Sequence, residues 1–298
     1  MPVVDRSNDI VSSVSANWKS YGIVQKIQCV GVFFTAAVCT FIPEMILEGI
    51  KGRKKFNSGK LKTIVEHQIY QQPFGAGGSL SSTILMSKQK DALLIHTAPE
   101  MTPEFKEAIQ ALGAPVKYIM ISNEVHETHA SACKEAYPDA KVLCPKASTK
   151  QVEMCGFQVD ASFEESMEML EKDFGFLKTF RGDDNIHSSA DRSFVLELYG
   201  DGVPKGKKVL FVGQCGYGHF PKLQLPAAMA GFQGWFTRGR YFRMFYWAFT
   251  TPEGQGRIHE YWNHMVNSVD DLYVAIFQHG SAIIGDDTKS KLLQFYTY

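Results

Sequence analysis

The sequence predicts an α/β domain built of layers, and three observations carry that prediction. Short apolar runs alternate with amphipathic stretches from residue 83 to residue 144. A second pair of apolar runs, Ser193 to Tyr199 and Val209 to Val212, lies much later. A final run, Leu272 to Phe277, passes directly into Gln278-His279-Gly280. Strands alternating with helices bury their apolar faces best as stacked sheet and helix layers.

Taken in order, residues 64–72 read as a strand. TILMSKQKDALLIHT, residues 83–97, holds two apolar runs split by Ser87-Lys88-Gln89-Lys90, a hairpin pattern. Between these strands Gly75-Ala76-Gly77-Gly78 lacks both the spacing and the following helix of a dinucleotide fingerprint. Thr102 or Pro103 opens a helix with Glu104 in its first turn, Phe105, Ile109 and Leu112 on one face and Gly113 at its end. VKYIMIS, Val116 to Ser122, reads as a buried strand followed by a loop, Asn123 to His129. A helix then ends before Pro138, and Lys141 to Cys144 forms a short strand. Residues 148–180 show one clear element, an acidic amphipathic helix near 163–173. The later runs pair as a hairpin across Gly200-Asp201-Gly202. Ile258 to Val266 reads as a helix, and a terminal helix follows Asp286-Asp287.

Bulk composition narrows the function. The chain has 298 residues, enough for one large α/β domain or two small ones, and a formal net charge of zero. No basic surplus and no aromatic–basic stripe point to nucleic acid. The six cysteines, Cys29, Cys39, Cys133, Cys144, Cys155 and Cys215, form no Cys-x-x-Cys pair. Zinc-ribbon and thioredoxin readings therefore lack their motif, and reduced thiols in a cytosolic setting are expected. A Gly-x-Ser-x-Gly elbow is also missing.

Met1 to Ala16 is polar and Ser-rich, without the order of a signal peptide. Cys29 to Ile42 is an apolar run, and residues 23–47 together are long enough to span a bilayer if Glu44 is tolerated. The cations that follow, Lys51, Arg53, Lys54, Lys55, Lys60 and Lys62, suit a cytoplasmic flank, which would place the main domain in the cytosol. A helix packed on the domain with a solvated basic stretch explains the same residues. The expected organisation is an extension over 1–62 and a domain over 63–298.

Chemistry concentrates in the loop after the VKYIMIS strand. Glu124, His126, Thr128 and His129 lie there, where loops of open α/β folds face the ligand crevice. Imidazole nitrogens and carboxylate oxygens suit zinc, iron or manganese. His279, again directly after a strand, can complete such a site, and Gly280 lets the backbone pass close beside it. His96 ends a strand and reads as a satisfied core residue. Residues 214–219, in GQCGYGH, read as a loop near the pocket mouth. The aromatic and basic segment Phe232 to Phe249, with Arg238, Arg240 and Arg243, suits either core with a solvated edge or an apolar pocket or membrane surface.

The stretch from Asp91 to Ala147 resembles the N-terminal half of a branch of the metallo-β-lactamase-fold superfamily. Asn123 and His126 match its Asn-x-x-His loop, and Tyr137, Pro138 and Ala140 its Tyr-Pro-x-Ala element. IFQHGSAI resembles the superfamily's closing strand–His–Gly turn, and the strand ending at Gly213 its strand that normally ends in Gly-Asp. The resemblance spans roughly residues 64–298 and implies an αβ/βα four-layer sandwich with an N-terminal helical extension. It implies a metal loop in which Glu124 stands for the first His of His-x-His-x-Asp-His, His126 for the second, Thr128 for the Asp and His129 for the last. Gln214 stands where a metal-bridging Asp is expected, His279 keeps the final ligand position, and His187 is the nearest match to the remaining His.

The implied site is degenerate, because both acidic bridging positions are neutral. One divalent metal, zinc or iron, held by His126, His129 and His279 with Glu124 and His187 in reserve is the expectation, with Glu124 or Glu127 as general base. The implied activity is metal-dependent hydrolysis of a small molecule. The competing reading is a pseudo-enzyme or membrane-associated binding module that keeps the fold and holds no metal.

Overall fold

A computed structural model describes residues Ile23, Ile27, 59–74, 80–122, 129–153, 158–181, 192–213 and 252–294. The expected site residues Glu124, His126, Glu127, Thr128, His187 and Gln214, and the segment 232–249, lie outside the described residues.

The first half builds a seven-stranded sheet in chain order. β1 (Lys62–Val65), β2 (Ile69–Phe74), β3 (Leu80–Met86) and β4 (Leu93–His96) run antiparallel in turn. β5 (Val116–Met120), β6 (Lys141–Cys144) and β7 (Ala161–Ser162) then continue it in parallel. Helices make the parallel crossovers: α1 (Pro103–Ala111), α2 (Ala130–Ala136) and α3 (Thr149–Glu153). The second sheet has five strands, in the order β12-β11-β10-β9-β8. These are β8 (Phe176–Arg181), β9 (Arg192–Glu197), β10 (Lys208–Val212), β11 (Leu272–Phe277) and β12 (Ile283–Ile284). β10 and β11 are parallel, joined by a crossover containing α5 (Pro252–Asn267), and α6 (Thr288–Gln294) closes the chain.

Local chemistry explains the helix ends. The Thr102 hydroxyl accepts from the Phe105 amide at 3.2 Å and Pro103 takes the first turn, so α1 starts where the sequence predicts. α4 (Phe163–Phe174) opens on a reciprocal capping box between Ser162 and Glu165. It ends on Gly175, at φ 71°, a left-handed residue that satisfies the last carbonyls.

Side-chain alternation along the strands sorts the interior into three cores, which define four layers. Between the sheets lie Leu85, Leu94, Met120, Leu143, Phe194, Leu196, Phe211, Val274 and Ile276, joined by Phe163, Leu170 and Phe174 of α4. The opposite face of the first sheet packs Ile84, Ile95 and Ile119 on Phe105 and Ile109 of α1 and Cys133 of α2. The opposite face of the second packs Val195, Leu210 and Ala275 on Trp262, Met265 and Val266 of α5 and Leu292 of α6. The architecture is thus helix, sheet, sheet, helix.

Several details differ from the sequence reading. Residues 64–72 are not one strand, because the chain reverses at Glu66–Gln68 with His67 at φ 55°, and Thr63 pairs with Tyr70. No glycine or proline marks that turn. β8, which the sequence did not reveal, is a strand whose side chains are mostly solvated, so it lacks an apolar alternation. Among the described residues no helix is long and apolar enough to cross a membrane.

Candidate functional site

Parallel strands β4, β5 and β11 end on the same side of the sandwich, where antiparallel β2 also ends and β3 begins. The inner face there is polar. Register pairs Gln71 with Thr83 and Thr83 with His96, so these three form a row across β2, β3 and β4. All three are buried, as are Ser81, Ser122 and Gln278. Buried polar groups of this kind persist where partners satisfy them.

Most of those partners come from the turn after β11. Gln71 Nε2 donates to the Phe277 carbonyl at 3.2 Å. The Ser81 amide donates to the Gln278 carbonyl at 2.8 Å, and its hydroxyl to the Gly280 carbonyl at 3.0 Å. The Gln278 side-chain amide donates to Ser122 Oγ and lies 3.4 Å from His96 Nε2. Residues 277, 278 and 280 are therefore each bonded to the first sheet, and His279 stands within this clamped turn. Gly280, at φ 82°, supplies the left-handed conformation the turn needs.

His96 is enclosed. Its ring meets Phe211 edge-on, its Nδ1 is 3.2 Å from Thr97 Oγ1, and its carbonyl accepts from Ser82 Oγ at 3.3 Å. Burial pushes its pKa down to about 3, so it is neutral near pH 7. Its neighbour Thr97 sits at φ 56°, a costly conformation for a β-branched residue, with its amide bonded to the Met120 carbonyl. Thr83 Oγ1, in the same row, is buried with no hydrogen-bond partner among the described residues.

A second tie joins the sheets on the other flank. Arg192, at the start of β9, donates to Glu164 at 2.8 Å, and Glu164 also accepts from the Lys146 amide at 3.1 Å. Burial raises the Glu164 carboxyl, but these bonds outweigh it and hold the group below its ordinary range.

Two of the expected metal ligands are described. His129 occupies the position before the first turn of α2 without a side-chain capping bond, is exposed, and meets Phe74 edge-on at 6.2 Å between ring centroids. His279 is half-buried in the clamped turn. Ser122, the residue before segment 123–128, touches Gln278, the residue before His279. The chain thus brings together the strand ends that carry the expected ligands. Among the described residues, no three of His, Cys, Asp or Glu gather into a metal-binding group. Imidazole and carboxylate donors of the kind expected here are types that suit one divalent ion.

Gln71, Ser81, Ser122 and Gln278 were not legible as site residues. Lone Gln and Ser residues carry no motif, and only the inward parity of their strand positions distinguishes them.

No protein-family model matches the sequence, and neither does any curated protein. Solved structures do. A DIM-1 metallo-β-lactamase exposed to ceftazidime is 11% identical with a TM-score of 0.50, covering 82% of this chain and 98% of that one. DIM-1 in a second structure gives 11% identity and 0.49 over 80% and 98% of the two chains. VMB-1 at pH 5.5 gives 13% identity and 0.46 over 81% and 97%. The chain has the metallo-β-lactamase fold.

Proposed function

We propose that this protein is a metal-dependent, hydrolase-like member of that fold, holding a single divalent ion, zinc or iron. One observation carries the reading: the turn bearing His279 is bonded to the first sheet at Phe277, Gln278 and Gly280. A turn fixed on both sides of one imidazole is what a ligand needs, because affinity falls when ligands must be ordered on binding. His126, His129 and His279, with Glu124, would hold the ion, and His187 is the nearest further donor. Such an ion supplies Lewis acidity that brings a water's pKa to about 7. The carboxylate of Glu124 or Glu127 would accept a proton from water there, and a small-molecule substrate would occupy the crevice.

Metal analysis of protein purified without chelator tests this. About one equivalent, lost in His126→Ala and His279→Ala, is expected. Less than about a tenth of an equivalent, unchanged after adding zinc, iron or manganese, overturns it. The neutral residues Thr128 and Gln214 favour the second reading, a binding module that keeps the fold without catalysis. Turnover abolished by either His substitution, with folding intact, counts against that alternative.

We further propose that residues 23–47 associate with a membrane, with the domain on the cytosolic side. Ile23 and Ile27, one helical turn apart, are 77% and 67% exposed. Cys29 to Ile42 is a weakly polar-to-apolar run, Glu44 lies just beyond it, and six cations without an acid follow over residues 51–62. The full chain is expected in the pellet after alkaline carbonate extraction, and the Phe33→Arg/Ala37→Arg variant in the supernatant. Full-length protein in the supernatant overturns the proposal.

A further inference from the structure

We propose that Gln278 is the positioning residue of this site: its side-chain amide joins the ends of β4, β5 and β11 and thereby fixes where His279 stands. The inference rests on the single-ion reading for its metal readout, and on geometry alone for its second readout.

Gln278 is fully buried and points inward, since Val274 and Ile276 alternate with it along the same face. Its amide nitrogen reaches two partners on the facing sheet, Ser122 Oγ and His96 Nε2. An amide nitrogen carries two hydrogens, one for each partner. His96 Nε2 is then an acceptor, which places the ring's single proton on Nδ1, toward Thr97 Oγ1. A protonated imidazole could not accept at Nε2, and the burial of His96 already disfavours that form. The side chain thus bonds both sheet-one strands that end at the site, and its own carbonyl is bonded to Ser81.

The consequence is geometric. Gln278 is one residue from His279, and Ser122 directly precedes the segment that carries Glu124 and His126. Without the amide, the bonds from Gln71 and Ser81 still hold the turn to β2 and β3, but its direct tie to Ser122 at the end of β5 is lost. Groups that orient a ligand through a neighbour typically change metal affinity about 10–100-fold when removed. An apolar side chain of similar length, methionine, keeps the packing and removes both donors.

The experiment compares the full-length wild type with Gln278→Met by two readouts. The first is zinc affinity, by competition with a chromophoric chelator. The second is the nitrogen-15 shifts of His96 at neutral pH in metal-free protein. Wild type is expected to bind zinc about 10–100-fold more tightly than Gln278→Met, with Tm nearly unchanged. His96 is expected to be the Nδ1–H tautomer in wild type and a tautomer mixture in the variant. Equal zinc affinity of the two proteins overturns the proposal. If wild type binds no zinc, the single-ion reading fails by itself. The tautomer readout still decides the role of Gln278: an Nε2–H form in wild type, or shifts unmoved by the substitution, overturns it. Should Gln278→Met fail to fold, Gln278→Asn, which keeps the amide but cannot span to both partners, is read the same way.

Discussion

The imidazole of His96 meets the ring of Phe211 edge-on, with centroids 4.5 Å apart and planes at 78°, and so ties β4 to β10 across the middle of the sandwich. Both residues are sealed from solvent. An edge-on pair of this kind contributes about 0.5–1.5 kcal/mol beyond the area it buries.

That enclosure makes stability depend on pH. Burial holds the folded His96 at about 3, against 6.5 for an exposed imidazole. In the window between those values the unfolded chain binds a proton that the folded chain refuses. The stabilisation is therefore complete above about pH 6.5 and is lost as pH falls toward 3, by up to about 1.4 kcal/mol per pH unit. Urea unfolding at pH 7.5, 6.5, 5.5 and 4.5 measures it. A midpoint that does not fall between pH 6.5 and 4.5 would show that His96 is not enclosed as a neutral ring. His96→Asn is expected to flatten the dependence.

The Arg192–Glu164 pair is unequal. The Arg192 side chain is 5% exposed and that of Glu164 is 45% exposed. Glu164→Ala removes an ion pair from a buried guanidinium, whereas Arg192→Met leaves a carboxylate that can reach water. Discounted for the exposure of Glu164, the first change is expected to cost about 1–2 kcal/mol and the second less. Chemical denaturation of both variants gives the order. The reverse order would mean that the guanidinium draws its main support from elsewhere.

Much of this fold was legible because its strands are buried on both faces. Val116 to Met120 and Leu272 to Phe277 read as strands because helices cover one side and the facing sheet the other. The capped helices were legible from Thr102 and from the acidic first turn at Glu164 and Glu165. β7 was not, since two residues carry no period. Nor was the role of Gln278: its bond to His96 spans 182 residues of chain, and no local pattern encodes a contact made only when two sheets stack. The sequence placed His96 in the core but could not show that its ring closes the polar row begun by Gln71 and Thr83.

Cys133 and Cys144 are buried, free thiols. Burial raises them to about 12 and about 11, respectively. Thiolate is the reacting form, so neither is expected to be alkylated in native protein at pH 8, and both should react once the chain is unfolded. Mass mapping after brief iodoacetamide treatment distinguishes these states. Native labelling of Cys133 would mean that α2 opens from the first sheet on the time scale of the reaction.

The end of the sandwich opposite the site is closed by a backbone approach that only glycine allows. The Gly200 amide donates to Gln68 Oε1 at 2.9 Å, and the same oxygen accepts from the Tyr199 amide at 2.9 Å. A methyl group at Gly200 would overlap Val65 Cγ1 and the Glu66 carbonyl oxygen. One of those atoms is backbone, bonded in turn to the Asp201 amide at 3.0 Å, so it cannot yield without breaking the bridge between the sheets. Gly206 provides the control. It stands at φ +82° with open space where a methyl would go, so alanine there meets only backbone strain. Gly206→Ala is expected to cost about 1–2 kcal/mol and Gly200→Ala about 2–4 kcal/mol. Thermal unfolding of the two variants reads the difference directly. If Gly206→Ala proves the more damaging, the close approach at Gly200 is not tight, and the side chain of Gln68, rather than the missing methyl, holds that end together.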